Sequence, residues 1–169
     1  SVGVAIVHRS ERLSEAIRLA RRAELVAKEH DNRSGGHVAV LLSKRSGGDL
    51  QVVLPRSSPS QASLADLVSS LSSGNIARGL AHEVRELGRR MQHVHLDAAK
   101  KEVTRVVTKK RSQSGEGMDE ALVAHLLNLT GISSAIDGPG FVESCERLSA
   151  LLRIALHLTG HTQATGGAA

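Results

Sequence analysis

The first half of the chain alternates between strand-like and helix-like patterns of apolar residues. Residues 1–8 form a short run rich in β-branched side chains, apolar on both faces, which predicts a strand in the middle of a sheet. Small and apolar residues then recur with helical spacing up to about Glu29, after Ser10 as a candidate N-cap. Two more strands are predicted at 37–42 and 50–54, joined as a β-hairpin with a basic, glycine-bearing tip.

In the second half only helical periodicities occur. A segment rich in proline and serine at 56–60 predicts a linker after a first domain at 1–55. Beyond it, a helical bundle is predicted over 61–161 and a disordered tail of small, polar residues over 162–169. The expected fold class is therefore α+β. The predicted helices cover 60–71, 75–91, 96–110, 119–129 and 141–158, with Asp137-Gly-Pro-Gly140 as a break before the last.

The first strand has too few predicted partners. A strand that is apolar on both faces needs neighbours on both sides, and the chain offers only two further strands. We therefore expect this chain to be the C-terminal portion of something longer, divided inside a sheet. The alternative is a complete three-stranded domain.

Composition changes this picture in one respect, which is the scarcity of aromatic residues. The 169 residues are 40% hydrophobic and 23% charged, which excludes wholesale disorder and a fibrous chain. They include one Phe and neither Tyr nor Trp, so nucleic-acid bases cannot stack on a set of aromatic side chains here.

The net charge of +5 and the isoelectric point near 10.0 suit a protein that lies close to nucleic acid or nucleotide phosphates. The single cysteine, Cys145, cannot form an internal disulfide and suggests a reducing compartment. No apolar run approaches a membrane span, and no signal-peptide pattern opens the chain. We therefore expect a soluble, cytoplasmic protein with no membrane partner.

Three segments, by their order and spacing, resemble a known family. They are Ser1-Val-Gly-Val-Ala-Ile-Val-His8, Ala23-Glu-Leu-Val-Ala-Lys-Glu29 and Val38-Ala-Val-Leu-Leu-Ser-Lys-Arg-Ser-Gly47. Together they are similar to the second palm domain of the large, cyclase-like subunit of type III CRISPR effector complexes, of the III-B form. A more distant resemblance links Ala27-Lys28 to diguanylate cyclase domains. The resemblance implies a partial ferredoxin-like palm over 1–55, and the helical remainder matches the family's C-terminal helical domain by position only.

The same resemblance implies a nucleotidyltransferase of antiviral defence that makes cyclic oligoadenylate from ATP with Mg²⁺ or Mn²⁺. Family catalysis depends on a Gly-Gly-Asp-Asp turn upstream of the Ser-x-Gly strand, where two carboxylates hold two metal ions. Here Gly47-Gly48-Asp49 lies in the later hairpin and is followed by Leu50, so the second carboxylate is missing. We expect no catalytic residue, metal ligand or bound cofactor in this chain alone, and no activity without the rest of the subunit.

Nucleotide-binding roles are implied by this resemblance for Lys28, Ser1 and Gly3. In this fold the lysine of Ala-Lys points toward nucleotide phosphates, and Gly3 leaves room for a nucleotide or a facing palm. The residues by themselves allow simpler interpretations. Lys28 is then a solvated lysine at a helix C-terminus, and Ser1 and Gly3 pack within a strand.

Positive charge is densest in the predicted helix at 96–110. This stretch suits a contact with an RNA backbone, which would be salt-sensitive and blind to sequence. The alternative is a solvated helix end, where cations are favourable in any case. The residues assigned to RNA are Lys100, Lys101, Arg105 and Lys109, with Lys110 and Arg111 beyond them.

Two functions stay open at this point. In the first, the chain completes the ATP and cyclic oligoadenylate palm of a type III CRISPR large subunit. Its partners are then the remainder of that subunit, the small helical subunit, the backbone subunits, and the guide and target RNA. In the second, the chain is a helical nucleic-acid-binding or assembly module whose cyclase-like remnant has no nucleotide role.

Overall fold

The computed structural model describes residues 1–30, 36–44, 48–56, 58–109 and 118–165, and the side chains of 58–63 and 160–165 are not discussed. The chain forms two compact units, Ser1–Gln61 and Ala62–Ala169. The α+β class is confirmed, because the described residues contain one three-stranded sheet and six helices. The strands are β1 (Val2–Ile6), β2 (His37–Leu42) and β3 (Leu50–Pro55). The helices are α1 (Leu13–His30), α2 (Ser58–Ser72), α3 (Leu80–Arg90), α4 (Leu96–Lys109), α5 (Glu120–Leu129) and α6 (Gly138–Thr165).

The sheet of the first unit has the order β1-β2-β3. The strands β2 and β3 pair antiparallel, as the predicted hairpin requires, whereas β1 lies parallel to β2 with Val2 opposite Val38. Within the described residues β1 is therefore an edge strand rather than the central strand that its sequence predicts. Its Val2 and Val4 side chains are 39% and 40% exposed, so the apolar pattern of β1 is only partly buried.

Helix α1 connects the two parallel strands and covers one face of the sheet. Its buried side chains are Leu19, Ala23 and Ala27, which form a cluster with Ala39 and Leu41 of β2. The small alanines let the helix lie close to the sheet, as the sequence predicts. The helical spacing of apolar residues predicts that all of them face the sheet, but two near the start of the helix remain in solvent. These are Leu13 and Ile17, 75% and 43% exposed.

The N-terminus of α1 also differs from the prediction. The helix begins at Leu13, so Ser10 lies before the position of an N-cap. The Ser10 hydroxyl instead hydrogen-bonds to Nδ1 of His8 at 2.8 Å. A serine hydroxyl can form local hydrogen bonds in a turn as readily as at the start of a helix, so the sequence alone does not distinguish the two.

The second unit is built around the packing of α3 against α6. Gly88 of α3 faces Cys145 of α6, and the neighbouring Arg89 donates to Glu146 at 3.1 Å. Other side chains of α4 and α5 add to an aliphatic core, and the single aromatic residue, Phe141, is completely buried. In the part of the chain that the structure describes, no helix has an apolar stretch long enough to cross a membrane.

Helix ends in this unit follow local capping chemistry. Helix α3 begins at Leu80, five residues later than the apolar pattern predicts. Asp137 caps α6, because its Oδ1 accepts a hydrogen bond from the Gly140 backbone N–H at 2.7 Å. The break predicted at 137–140 is thus the start of the helix itself. At its other end α6 continues to Thr165, four residues into the segment predicted as a tail.

Candidate functional site

The three residues assigned to nucleotide binding lie near one another in the first unit, around Glu24. Lys28, in the last turn of α1, forms an ion pair with Glu24 at 2.8 Å between Nζ and Oε1. Gly3 of β1 lies against the backbone of Ala20 and Glu24, with no room for a Cβ atom. The pKa of Glu24 is lowered chiefly by the hydrogen bond and charge of Lys28, with smaller effects from the Ser1 amine and Arg21.

Gly3 therefore has a structural role that does not need a ligand. A Cβ atom at this position would come within 2.8 Å of Glu24 Cα and would also collide with the Ala20 carbonyl oxygen. The absent side chain allows α1 to pack on β1. A role for Gly3 toward a nucleotide stays a prediction.

The Lys28 ammonium is accessible but already has a partner. Its side chain is 58% exposed and that of Glu24 is 42% exposed. Exposed ion pairs contribute little to stability, so a phosphate group of higher charge can displace the Glu24 carboxylate at small cost. Glu24 was missed at the sequence level, although its spacing of four residues from Lys28 is the standard signal for such a pair.

At the hairpin tip, the Gly47-Gly48-Asp49 segment begins outside the described residues. The carboxylate of Asp49 lies 3.8 Å from a guanidinium nitrogen of Arg22 on α1, and Leu50 begins β3. Across the described ranges no group of three or more His, Cys, Asp or Glu side chains could hold a metal ion. The donor set present here does not fit the two-metal site of the family, and no chemical step of this chain is assigned to a metal.

The basic helix α4 carries less free charge than its sequence indicates. Arg105 donates two hydrogen bonds to Glu102, at 2.7 and 2.6 Å, and Lys100 donates to the Ser133 carbonyl oxygen at 3.0 Å. Lys101 and Lys109 are exposed, and the charge of Lys109 helps Arg105 to lower the pKa of Glu102. Residues 110 and 111 lie outside the described part of the chain. Among the assigned RNA residues, Lys101 is thus the most available to a phosphate.

A second cationic feature, which the sequence did not reveal, lies between α3 and α6. There the helices enclose a cavity of about 330 Å³, which we call the arginine pocket. The α3 side contributes Arg78, Ala81, His82 and Arg85, and the α6 side contributes Ser149, Arg153 and Leu156. The signal was present as a helical spacing of arginines, Arg78 to Arg85, but nothing in the sequence paired this stripe with Arg153.

Comparison with known proteins adds no relative. No family model matches the chain, and neither a curated protein nor a solved structure matches it.

Proposed function

We propose that this chain is part of the large, cyclase-like subunit of a type III CRISPR effector complex. In this proposal the first unit contributes to a palm that makes cyclic oligoadenylate, and the helical unit contacts the small helical subunit and RNA. The observation that carries the proposal is the exposed edge of the sheet in the first unit. Within the described residues β1 has a strand partner on one edge only, and its Val2 and Val4 are about two-fifths exposed.

The two faces of β1 differ in what covers them. Because Gly3 faces α1, the alternation of a strand turns Val2 and Val4 to the opposite face. An edge strand with exposed apolar side chains is a surface on which a further strand or sheet can pack. We assign this surface to the remainder of the palm, which would carry the Gly-Gly-Asp-Asp turn and with it the carboxylates for Mg²⁺ or Mn²⁺.

Lys28 is the residue of this chain that would act on ATP. When the palm is complete, its ammonium would exchange Glu24 for a phosphate oxygen of the nucleotide and hold the triphosphate as a point charge. Ser1 and Gly3 lie beside the same carboxylate and would shape the adjoining strand. The metal ions of the intact subunit would supply charge neutralisation and activation of the attacking hydroxyl.

The test measures ATP turnover by the assembled large subunit at several Mg²⁺ concentrations. Lys28→Ala should lower the rate about tenfold to a hundredfold, the equivalent of one charge-assisted hydrogen bond that strengthens in the transition state. Arg12→Ala is the matched control, since Arg12 is an exposed cation just before the opposite end of α1. Assembly and guide binding should be unchanged in both variants. Equal turnover by wild type and Lys28→Ala would remove the nucleotide role, and turnover by this chain alone would overturn the assignment.

One observation favours the second candidate function, a helical nucleic-acid-binding or assembly module without a nucleotide role. Both Lys28 and Gly3 already have structural explanations, the first as the partner of Glu24 and the second as the contact point of α1. This candidate predicts that Lys28→Ala leaves ATP turnover unchanged while substitutions in the helical unit still weaken RNA binding. The two measurements together separate the candidates.

A further inference from the structure

The arginine pocket combines three cations with no carboxylate in its lining. Arg78, Arg85 and Arg153 all line the cavity, and its other polar side chains are His82 and Ser149. Another cavity of this unit, between α4 and α5, differs in sign, since its one charged lining residue is Glu120. The positive lining is therefore a property of one place and not of the whole helical unit.

Nearby carboxylates neutralise this charge only in part. Arg85 forms a long ion pair with Glu146, whose Oε1 lies 4.0 Å from Arg85 Nε and closer, at 3.1 Å, to the guanidinium of Arg89 outside the pocket. Glu83 of the same helix acts on Arg105 of α4, away from this cavity. Neither Arg78 nor Arg153 forms an ion pair with any residue in the described ranges. Like charges held around one cavity repel, which makes an anionic ligand the natural counterpart.

The two helices converge on this cavity in a defined way. Gly88 faces Cys145, and Arg85 and Arg153 line the pocket further along, so α3 and α6 run antiparallel. On the α3 side the lining residues are Arg78, just before α3, and His82 and Arg85 within it, and on α6 they are Ser149, Arg153 and Leu156. Ser149 is 2% exposed and Ala81 is 5% exposed, so these two lining residues are buried while the arginines reach solvent.

We propose that the arginine pocket binds a phosphate group, carried either by an RNA backbone or by a free nucleotide. A guanidinium presents two parallel N–H donors that match two phosphate oxygens, and three of them surround one cavity here. The volume of about 330 Å³ lies at the lower end of the range for small-ligand sites and fits a phosphate with its sugar. Ala81 and Leu156 form the apolar wall, and the lining has no Phe, Tyr or Trp side chain, so the three guanidinium groups would recognise the phosphate rather than the base. This inference does not depend on the proposed palm of the first unit, and it would stand even if the palm proposal were refuted.

The experiment uses the full chain and two probes. One is a fluorescein-labelled oligouridylate of about twelve nucleotides, followed by fluorescence anisotropy at several KCl concentrations. The other is unlabelled ATP without metal, followed by calorimetry. The double variant Arg78→Gln, Arg153→Gln should weaken binding of the responding probe about tenfold or more. Arg90→Gln removes one positive charge from α3 outside the pocket and should change binding less than about twofold, and the single variant Arg153→Gln, which removes the same charge inside the pocket, should weaken it more.

The two probes distinguish the source of the phosphate. Loss of oligouridylate binding, with a salt slope lower by about 1.4 for two single-strand contacts, assigns the pocket to RNA. Loss of ATP binding, with competition by ATP for the RNA probe, assigns it to a nucleotide. His82→Glu is a second variant that keeps every arginine, and because His82 is exposed it should fold. It should weaken the same probe about tenfold. The proposal is overturned if wild type binds neither probe, or if all the pocket variants bind like Arg90→Gln.

Discussion

Replacing Gly3 by alanine tests the packing on which the first unit depends. A Cβ atom at this position meets the backbone of Ala20 and Glu24 on α1, with Glu24 Cα at 2.8 Å. A side-chain obstacle could rotate away, but helix backbone cannot. Gly3→Ala must therefore push α1 from the sheet and loosen the contacts of Leu19 and Ala23 beneath it.

The expected magnitude follows from two opposing terms. Overpacking costs about 1 to 3 kcal/mol, and the rigid backbone places this contact toward the upper end of that range. Alanine in place of glycine stabilises the folded state by about 0.4 to 1 kcal/mol, because it lowers the conformational entropy of the unfolded chain. The free energy of unfolding of the first unit should therefore fall by about 2 kcal/mol, which changes the folded-to-unfolded ratio about 30-fold.

Hydrogen exchange followed by mass spectrometry is the suitable assay, since the chain has neither Trp nor Tyr for fluorescence and exchange reports on each of its two units separately. Amides of α1 should exchange about 30-fold faster in Gly3→Ala, with α6 unchanged. Gly48→Ala is the matched control, because a Cβ atom there meets nothing within 4 Å and its φ is not positive. If the amides of α1 were as protected in Gly3→Ala as in the wild type, the packing argument would be refuted, and the nucleotide-binding role would be the remaining explanation for Gly3.

Three further predictions concern the helical unit. Burial raises the pKa of the Cys145 thiol to about 12, so the thiol of the unfolded chain ionises at a lower pH than that of the folded chain. The contribution of Cys145 to the free energy of unfolding should therefore be full below pH 9 and be lost between pH 9 and 12. Urea midpoints of Cys145→Ala should lack the decrease that this ionisation causes in the wild type. Asp137→Ala should lower the unfolding free energy by about 1 kcal/mol through loss of the α6 cap, whereas Asp137→Asn should retain most of it; equal urea midpoints would contradict this. Replacing Lys100, Lys101 and Arg105 together by alanine should weaken RNA binding equally for all sequences and lower the salt slope by about 0.7 for each phosphate that these side chains neutralise. Among single variants Lys101→Ala should have the largest effect, because Lys100 and Arg105 already have partners. Unchanged anisotropy would indicate that α4 is a solvated helix.

The elements that the sequence predicts well are those whose signals are local. The β2-β3 hairpin and the position of α4 follow from apolar runs bounded by glycine or by charge, so neighbouring residues decide them. The predicted start of α3 is wrong because Ile76 continues its apolar pattern. Ile76 is 2% exposed but precedes the helix, and burial alone cannot show whether the backbone is helical.

Features that depend on contacts between distant segments could not be predicted. Gly3 allows the backbone of Ala20 and Glu24 to lie against β1, while Leu13 of the same helix stays in solvent. For the candidate sites the same reason applies. The ion pair of Lys28 with Glu24 could be predicted from their spacing of four residues. The arginine pocket depends on how α3 packs against α6, and the sequence of neither helix alone determines that packing.

The parallel pairing of β1 and β2 has a consequence for the order in which the first unit acquires its structure. Val2 cannot meet Val38 until the whole of α1 has been made and has folded back, whereas β2 and β3 are joined by a short connection. Closing the longer loop costs more entropy, so the hairpin should form first and serve as the template for β1. Of these three strands β1 is synthesised first, and it cannot pair with β2 until α1 has been made. We expect this interval to be the one in which the chain is most open to capture by chaperones or by another strand.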